Sequence, residues 1–455
     1  MKKFALYFLT VAMLFCCVAG CNKTDSSSSS SGGGDPKPVP AVLLNKDEYS
    51  LGAGVNKQLE YRLENAENAT FSSENTNVVT VSGNGVITGV AEGQTKVTVR
   101  AVSAYDKKTE VTASAVVYVT PSGYSSLKGD EIGIKWLGRT FNYENAINCY
   151  NTASGFEVRF YGTKVTAQIV SAGKKTPQIT VMTDGETAEN GRVIDLSKEK
   201  GESEYTLAEN LAEGEHVVRV YKITEAYTTS MGVKKINTDG YLMNISDGEK
   251  LKIEVYGDSI TTGHNNLRET AAEAAESADK LQNGCLTYAF LTAESLNADI
   301  NVIARVGIGM YSAWGNSFVF KDNWKKTYLS ENDYLYGGVN PDWDFAKYTP
   351  DLVIINIGTN DVWYDWQTSQ YKADLKQVCE QLFALYGENV KIVIAGGMMN
   401  SDYLSVAKAV ARSYPEDSVT TAELPRSAAN HPRVADNKAA AQTLTAFLNR
   451  FLFSE

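Results

Sequence analysis

The chain has few histidines and no excess of positive charge, and both shortages narrow its possible functions. Only three of the 455 residues are histidines, His216, His264 and His431. A histidine-rich metal site is therefore not expected, and few candidates remain for a catalytic base. The formal net charge is −11, whereas a nucleic-acid partner requires a basic face that no segment supplies. We therefore expect no metal site and no nucleic-acid partner.

Cysteine is also scarce, and half of the six cysteines lie within the first 21 residues. The other three, Cys149, Cys285 and Cys379, are too far apart for a metal-type spacing. Their odd number leaves two alternatives open, which are buried thiols or one disulfide with one thiol left over.

Long apolar runs are missing except at the N-terminus, where Lys2 and Lys3 precede an uncharged stretch from Phe4 to Gly20. This arrangement predicts a signal peptide. Its end, Val18-Ala19-Gly20-Cys21, resembles a bacterial lipobox, which implies cleavage before Cys21 and lipid attachment to its thiol. We expect a lipid-anchored protein of the cell envelope, at the outer membrane or cell surface; the alternative is a soluble secreted protein. Residues 22–40, rich in Ser, Gly and then Pro, predict a tether.

Residues 41–120 consist of short β-type segments separated by turn signals. Asn84-Gly85 lies between two of them and predicts a hairpin. Short strands at this spacing predict a β-sandwich. The pattern from Val81 to Val99 resembles bacterial immunoglobulin-like group 2 domains, which implies an Ig-like fold and favours a spacer role.

Two further domains follow. Residues 129–247 contain about eight β-type segments and no helical period, which predicts a jelly-roll sandwich. Residues 250–455 alternate strands with helices, which predicts a three-layer α/β/α domain with a parallel sheet. The predicted strands are Leu251–Tyr256, Ile300–Ala304, Leu352–Ile357 and Val390–Ala395. The predicted helices are Ala271–Leu281, Leu286–Leu296, Ser369–Leu385, Ser405–Ser413 and Asn437–Leu452.

Chemically useful residues follow several of these strands. The stretch LKIEVYGDSITTG delivers Ser259 directly after the first strand, where open α/β folds keep their sites. Gly307 follows the second strand and could bring a backbone N–H close to a reacting oxygen. Asn360 follows the third strand, and His431 precedes the last helix. The four residues supply a hydroxyl, a backbone amide, an amide side chain and an imidazole.

These residues fall in the order of the SGNH hydrolase blocks, and the resemblance spans the whole last domain. GDSITTG, VGIG, DFAKYTPDLVIINIGTND and NHP resemble carbohydrate esterase family 2 more narrowly. The segments Trp136–Arg139 and Tyr221–Glu225 resemble that family's N-terminal jelly roll. The resemblance implies hydrolysis of O-acetyl esters on plant polysaccharides such as xylan or glucomannan, without a metal or organic cofactor. The expected partner is an acetylated polysaccharide or oligosaccharide.

The resemblance also implies roles for individual residues. Ser259 is expected to be the nucleophile and His431 the base, with an oxyanion held by the N–H groups of Ser259 and Gly307 and by the Asn360 amide. One position departs from the SGNH pattern, because Ala428 stands where an aspartate usually precedes the histidine. We therefore predict a Ser–His dyad whose histidine is oriented by another group, such as a main-chain carbonyl.

Aromatic residues near the predicted site are candidates for sugar binding. Trp314, Trp363, Tyr364 and Trp366 could line a sugar-binding cleft, although packing within loops explains them equally well. Two other functions stay open at this point. One is an SGNH lipase or arylesterase that acts on other acyl esters, and the other is a carbohydrate-binding surface lipoprotein with weak or no catalysis.

Overall fold

The structure is a computed structural model that describes residues 38–121, 125–127, 129–246, 248–269, 279–315, 317–428 and 430–453. The predicted signal peptide, Cys21 and most of the predicted tether lie outside these residues. No helix within the described ranges combines the length and apolar character that crossing a membrane requires.

The first domain is a small β-sandwich, as the turn signals predicted. Its main sheet has the order β2-β9-β8-β5, and a two-stranded and a three-stranded sheet accompany it. Alternate residues of β8 and β9, such as Val97, Val99 and Val117, are buried between the sheets, as strand periodicity requires. The strands are β1 Ala41–Leu44, β2 Glu48–Gly52, β3 Asn56–Gln58, β4 Tyr61–Glu64, β5 Ala66–Ser73, β6 Val79–Val81, β7 Val86–Gly89, β8 Gly93–Ser103 and β9 Glu110–Thr120.

The second domain is a jelly-roll-type sandwich of two antiparallel sheets. One sheet has the order β12-β13-β20-β15-β18 with β10 attached, and the other has the order β11-β14-β19-β16-β17 with β21 attached. The strands are β10 Ser125–Ser126, β11 Ile134–Leu137, β12 Phe141–Tyr143, β13 Ala146–Asn148, β14 Gly155–Gly162, β15 Val165–Gly173, β16 Gln178–Thr183, β17 Arg192–Asp195, β18 Gly201–Ala208, β19 Gly214–Lys222, β20 Thr229–Thr238 and β21 Tyr241–Leu242.

The third domain is a parallel five-stranded sheet with helices on both faces, so the predicted fold class is confirmed. The strands are β22 Lys252–Gly257, β23 Asp299–Ala304, β24 Leu352–Asn356, β25 Lys391–Gly396 and β26 Val419–Glu423. The helices are α1 Ser259–Thr262, α2 Tyr288–Ser295, α3 Phe320–Asn323, α4 Thr359–Tyr364, α5 Thr368–Tyr386, α6 Asp402–Ala411 and α7 Val434–Phe453, with short 3₁₀ turns at Gly284–Leu286 and Phe345–Lys347.

The sheet order β23-β22-β24-β25-β26 places the first strand of the domain between the second and the third. The chain runs from β22 to β23 on one side and then crosses to β24 on the other side of β22. Folds of this kind bind ligands in the crevice at the carboxyl ends of the strands where the order reverses. Ser259 follows β22 and Asn360 follows β24, so the topology brings both to this edge.

The structure corrects two secondary-structure predictions. The helix predicted over Ala271–Leu281 lies mostly outside the described residues, and residues 279–281 are not helical. Lys280 has a φ of 63°, a left-handed conformation that a right-handed helix excludes. The fifth strand, β26, was not predicted because Val419–Glu423 carries few apolar residues. It pairs with β25 at the edge of the sheet that the described residues form, and an edge strand needs fewer buried side chains than a central one.

A buried arginine joins the jelly roll to the hydrolase domain. Arg139 donates to the carboxylate of Glu254 at 3.0 Å, to the hydroxyl of Tyr256 at 2.6 Å and to the carbonyls of Trp324 and Lys326 at 2.8 and 2.7 Å. Both members of the Arg139–Glu254 ion pair are 0% exposed. A buried ion pair that is broken on one side leaves an uncompensated charge, so this contact fixes how the two domains dock.

Candidate active site

Ser259 lies at the junction of β22 and the short helix α1. Every residue of β22 after Lys252 is buried, and Asp258 caps α1 by accepting the N–H of Ile260 at 2.9 Å. The Ser259 hydroxyl lies 3.0 Å from Nε2 of His431. This is the distance at which an imidazole can take the proton of an attacking hydroxyl. The structure thus brings together the two residues that were predicted as nucleophile and base.

The environment of His431 keeps its imidazole neutral. Burial, and then the positive charge of Arg268, lower the pKa of His431 from 6.5 to about 4. Arg268 also donates to the His431 carbonyl at 2.5 Å, which holds the backbone beside the ring. His264 packs edge-on against His431 with ring centroids 5.0 Å apart, and burial lowers the pKa of His264 to about 3. Both imidazoles are therefore uncharged near neutral pH, the state that a base requires.

A carboxylate partner for His431 is missing from the part of the chain that the structure describes. Ala428 is exposed, and no ion pair among the described residues joins His431 to an acidic side chain. Asp436, which is near in sequence, accepts hydrogen bonds from the Ser427 hydroxyl at 3.0 Å and the Arg433 N–H at 2.9 Å. The main-chain carbonyl expected to orient the ring stays a prediction.

Gly307 occupies a tight turn after β23. The Ile308 N–H donates to the Arg305 carbonyl at 3.4 Å, and Gly307 has a φ of 76°, which favours glycine at the third position of such a turn. The Gly307 carbonyl accepts the N–H of Trp314 at 2.8 Å. Within the described ranges the Gly307 N–H has no acceptor of its own, so it is available to a ligand.

Asn360 lies in the first turn of α4 and is buried. Its Nδ2 donates to the Ile308 carbonyl at 2.8 Å, which links α4 to the turn at Gly307. A primary amide has two N–H donors, and this single contact leaves the second one for a ligand. Ser259, Gly307 and Asn360 all line one cleft, so the structure brings the predicted oxyanion donors together with the nucleophile.

The two aspartates beside these residues, Asp258 and Asp361, have structural contacts. Asp361 accepts the N–H groups of Met310, Tyr311 and Ser312 at 2.7, 3.0 and 3.0 Å, which fixes the loop that follows Gly307. Burial raises the pKa of Asp361. Burial also raises the pKa of Asp258 to about 7, and the nearby Asp361 adds to this rise. The Asp361 carboxylate is therefore held by three N–H donors, whereas the Asp258 carboxylate is poorly solvated.

The cleft has a volume of about 590 Å³ and an aromatic rim. Trp314, Trp363 and Tyr364 line it and are 43%, 46% and 50% exposed. Trp366 does not line this cleft, and its ring instead packs against Tyr371 with centroids 5.3 Å apart. Three of the four predicted aromatic residues thus lie where a sugar ring could stack, and Trp366 packs within the domain.

Sequence reasoning missed the contribution of the jelly roll to the cleft. Its residues Lys174, Lys175, Glu225, Tyr227 and Thr228 form one wall. They belong to the loops that precede β16 and follow β19, and nothing in a one-dimensional pattern places these loops beside Ser259. The signal in the sequence was Glu225 itself, an acidic residue three positions after a strand.

The other histidine and the cysteines are structural. His216 bonds through its ring nitrogens to Asp184 and to the Ala212 carbonyl, at 2.7 Å each. Cys149, Cys285 and Cys379 are buried free thiols, which settles the alternative that the sequence left open. No group of three or more His, Cys, Asp or Glu side chains within the described ranges could hold a metal ion.

Comparison with known families agrees with this three-part architecture. Residues 38–122 match the bacterial Ig-like domain (group 2), residues 136–245 match the carbohydrate esterase 2 N-terminal domain, and residues 255–449 match the GDSL-like lipase/acylhydrolase family. The chain therefore carries these three domains in this order.

Two curated relatives of this chain are named as esterases. It is 35% identical over 239 residues to the cellulase/esterase CelE of Acetivibrio thermocellus, covering 51% of this chain and 27% of that protein. It is 29% identical over 154 residues to an acetylxylan esterase/glucomannan deacetylase of Cellvibrio japonicus, covering 34% of this chain and 41% of that protein. The chain thus spans less than half the length of these two relatives.

A solved structure of a family two carbohydrate esterase from Clostridium thermocellum in complex with cellohexaose is also similar. It shares 27% sequence identity with this chain at a TM-score of 0.62, and the match covers 70% of this chain and 99% of that one. The likeness therefore covers almost the whole of that solved chain.

Proposed function

We propose that this protein is a carboxylic ester hydrolase that removes O-acetyl groups from plant polysaccharides such as xylan or glucomannan. The observation that carries the proposal is the 3.0 Å contact between the Ser259 hydroxyl and Nε2 of His431 in a cleft that Gly307 and Asn360 also line. The relatives named for acetylxylan and glucomannan deacetylation support the substrate class.

The chemistry follows from these four residues. The Ser259 oxygen attacks the ester carbonyl carbon while Nε2 of His431 takes its proton. The carbonyl oxygen becomes negative, and the N–H groups of Ser259 and Gly307 and the Asn360 amide stabilise it. Collapse of this intermediate breaks the bond to the sugar oxygen, which receives the proton from His431. Water, activated by the same imidazole, then releases acetate from the acetyl-enzyme.

The test compares the wild-type protein with Ser259→Ala for acetate release from acetylated xylan and acetylated glucomannan. We expect release by the wild type and a loss of several orders of magnitude in the variant, since the nucleophile is removed. Equal release by both proteins, or none by either on any acetylated glycan, would contradict the proposal. Hydrolysis of 4-nitrophenyl acetate is then compared with hydrolysis of 4-nitrophenyl octanoate. A deacetylase prefers the acetate, whereas an esterase for longer acyl groups prefers the octanoate.

We further propose that the protein is lipid-anchored through Cys21 and acts at the cell envelope. The support is the sequence Val18-Ala19-Gly20-Cys21 after an apolar run, followed by a Ser/Gly/Pro segment long enough to hold the domains away from a membrane. Cys21→Ser should release the protein from the membrane fraction of expressing bacteria. An unchanged distribution between the membrane and soluble fractions would refute the anchor.

A further inference from the structure

The jelly roll reaches into the active site through one carboxylate. Glu225 lies in the loop that follows β19, three residues beyond its end, is buried at 1% exposure and lines the cleft. Its Oε2 accepts the N–H of Val306 at 2.9 Å. Val306 immediately precedes Gly307, so a side chain of one domain holds the turn that carries an expected oxyanion donor of the other.

The contacts around this turn show what that hydrogen bond contributes. The Arg305 carbonyl is held by Ile308, and the Gly307 carbonyl is held by Trp314. The Val306 N–H has Glu225 as its acceptor. The Gly307 N–H is then left without an acceptor among the described residues. The hydrolase domain thus holds the two carbonyls of the turn, and Glu225 of the jelly roll holds the Val306 N–H.

Glu225 is itself rigidly placed. Its own carbonyl accepts the N–H of Thr229 at 3.2 Å and the Thr229 hydroxyl at 2.9 Å. The preceding Ile223 accepts the N–H of Gly284 at 2.9 Å, which docks this loop on the hydrolase domain. The carboxylate thus approaches Val306 from a loop that is anchored on both sides.

Three cations act on Glu225, namely Arg305, Lys175 and Lys222, and two of them have other partners. The Lys222 ammonium donates to the carbonyls of Tyr150 and Thr224 at 2.8 and 2.5 Å. The Arg305 guanidinium forms a double hydrogen bond with Glu331 at 2.8 and 2.9 Å. Neutralising Lys222 and Arg305 is therefore not the main task of Glu225. Its direct contact is with the backbone.

We propose that Glu225 is a positioning residue for ester hydrolysis, and that its hydrogen bond to Val306 fixes the turn so that the Gly307 N–H points at the developing oxyanion. The proposal rests on the proposed function, because it assigns Glu225 to the same reaction. It makes the jelly roll part of the catalytic unit. A misplacement of about 1 Å in such a site costs on the order of 100-fold in rate, which sets the size of the expected effect.

Two substitutions separate positioning from charge. Glu225→Gln keeps the length of the side chain and an oxygen that can accept the Val306 N–H, but it removes the charge. Glu225→Asp keeps the charge and withdraws it by one methylene, so the hydrogen bond to Val306 is lost. We expect Gln to retain kcat within a factor of about 3 and Asp to lose about 10- to 100-fold in kcat with little change in KM.

Glu294→Ala is the matched control. Glu294 belongs to the hydrolase domain and accepts the N–H of Ala188, in the jelly roll, at 2.8 Å, so it makes the same kind of cross-domain bond away from the cleft. We expect its kcat to be that of the wild type. Thermal unfolding of each variant establishes that it is folded.

The positioning role of Glu225 and the proposed esterase function are tested by different results. An inactive wild-type protein contradicts the proposed function. With an active wild type, loss of kcat in both Glu225 variants, in neither, or in Gln alone overturns the positioning role. If the Asp variant does not fold, Glu225→Ala takes its place: a loss of about 10- to 100-fold in kcat beside a retained kcat in the Gln variant supports the proposal, and wild-type kcat in the Ala variant or a tenfold loss in the Gln variant overturns it.

Discussion

The pKa of His431 makes a prediction about how activity depends on pH. An ordinary histidine has a pKa of 6.5, whereas burial and the charge of Arg268 lower the pKa of His431 to about 4. At pH 5 a base of pKa 4 is roughly 90% neutral, while one of pKa 6.5 is only about 3% neutral. The protein should therefore keep about 30-fold more of its kcat/KM at pH 5 than an enzyme with an unperturbed histidine.

The assay is direct measurement of acetate released from a neutral acetylated oligosaccharide between pH 3.5 and 8. Arg268→Gln removes one cause of the low pKa of His431 and should move the acid limb of the kcat/KM profile to higher pH. Burial still acts on His431 in this variant, so the midpoint of the limb should stay below pH 6.5. Arg433→Gln is the control, because Arg433 is not among the causes of the His431 shift and pairs with Asp436 at 4.0 Å. A wild-type limb centred near pH 6.5 would refute the account of His431, and equal limbs in wild type and Arg268→Gln would refute the role of Arg268.

Three further predictions follow from single contacts. Gly307→Ala should lower kcat about 10- to 100-fold, because its φ is 76° and the new Cβ would lie 3.1 Å from the Cβ of Trp314; an unchanged kcat contradicts this. Asp258 has a folded pKa of about 7 against 3.8 unfolded, so its contribution to the unfolding free energy is present below pH 3.8 and is lost as the pH rises through 7. Asp258→Asn should therefore gain stability relative to wild type between pH 4 and 8 in denaturant titrations, and a constant difference would argue against the shift. Arg139→Met should cost about 3–5 kcal/mol in unfolding free energy. The exposed pair Lys438–Glu189 spans the same two domains, so Lys438→Ala should cost at most about 1 kcal/mol, and equal costs for the two variants would refute this ranking.

The fold and the expected catalytic groups could be predicted because each depends on local pattern. The run of buried residues that ends at Gly257 identifies a strand of a parallel sheet, and such strands deliver their next residues to one edge. Ser259 and Asn360 follow two neighbouring strands, so the sheet alone brings them together. Histidine is scarce in this chain. This scarcity left His431 as the candidate base with a suitable place in the chain, before the last helix.

The rest of the site could not be predicted, since it depends on contacts between domains. Glu225 is 81 residues from Val306, and only the docking of two sheets against a third brings them together. Trp366 is a different case: its position close to Asn360 in the sequence suggested a place in the cleft, but the structure does not place it there. The six residues of α4 end before it, and its ring turns towards Tyr371 in the core.

The domain interface also explains why the jelly roll accompanies the hydrolase domain. Glu254 lies in the interior strand β22, is 0% exposed and accepts hydrogen bonds from Arg139, Tyr256 and Tyr386. Of these three donors only Arg139 carries a positive charge, and it comes from the jelly roll. A hydrolase domain without that neighbour would keep a carboxylate in its core with two hydroxyl donors and no compensating charge, which is costly. The strand that leads to Ser259 thus depends on the jelly roll for its stability, just as the turn at Gly307 receives a hydrogen bond from it.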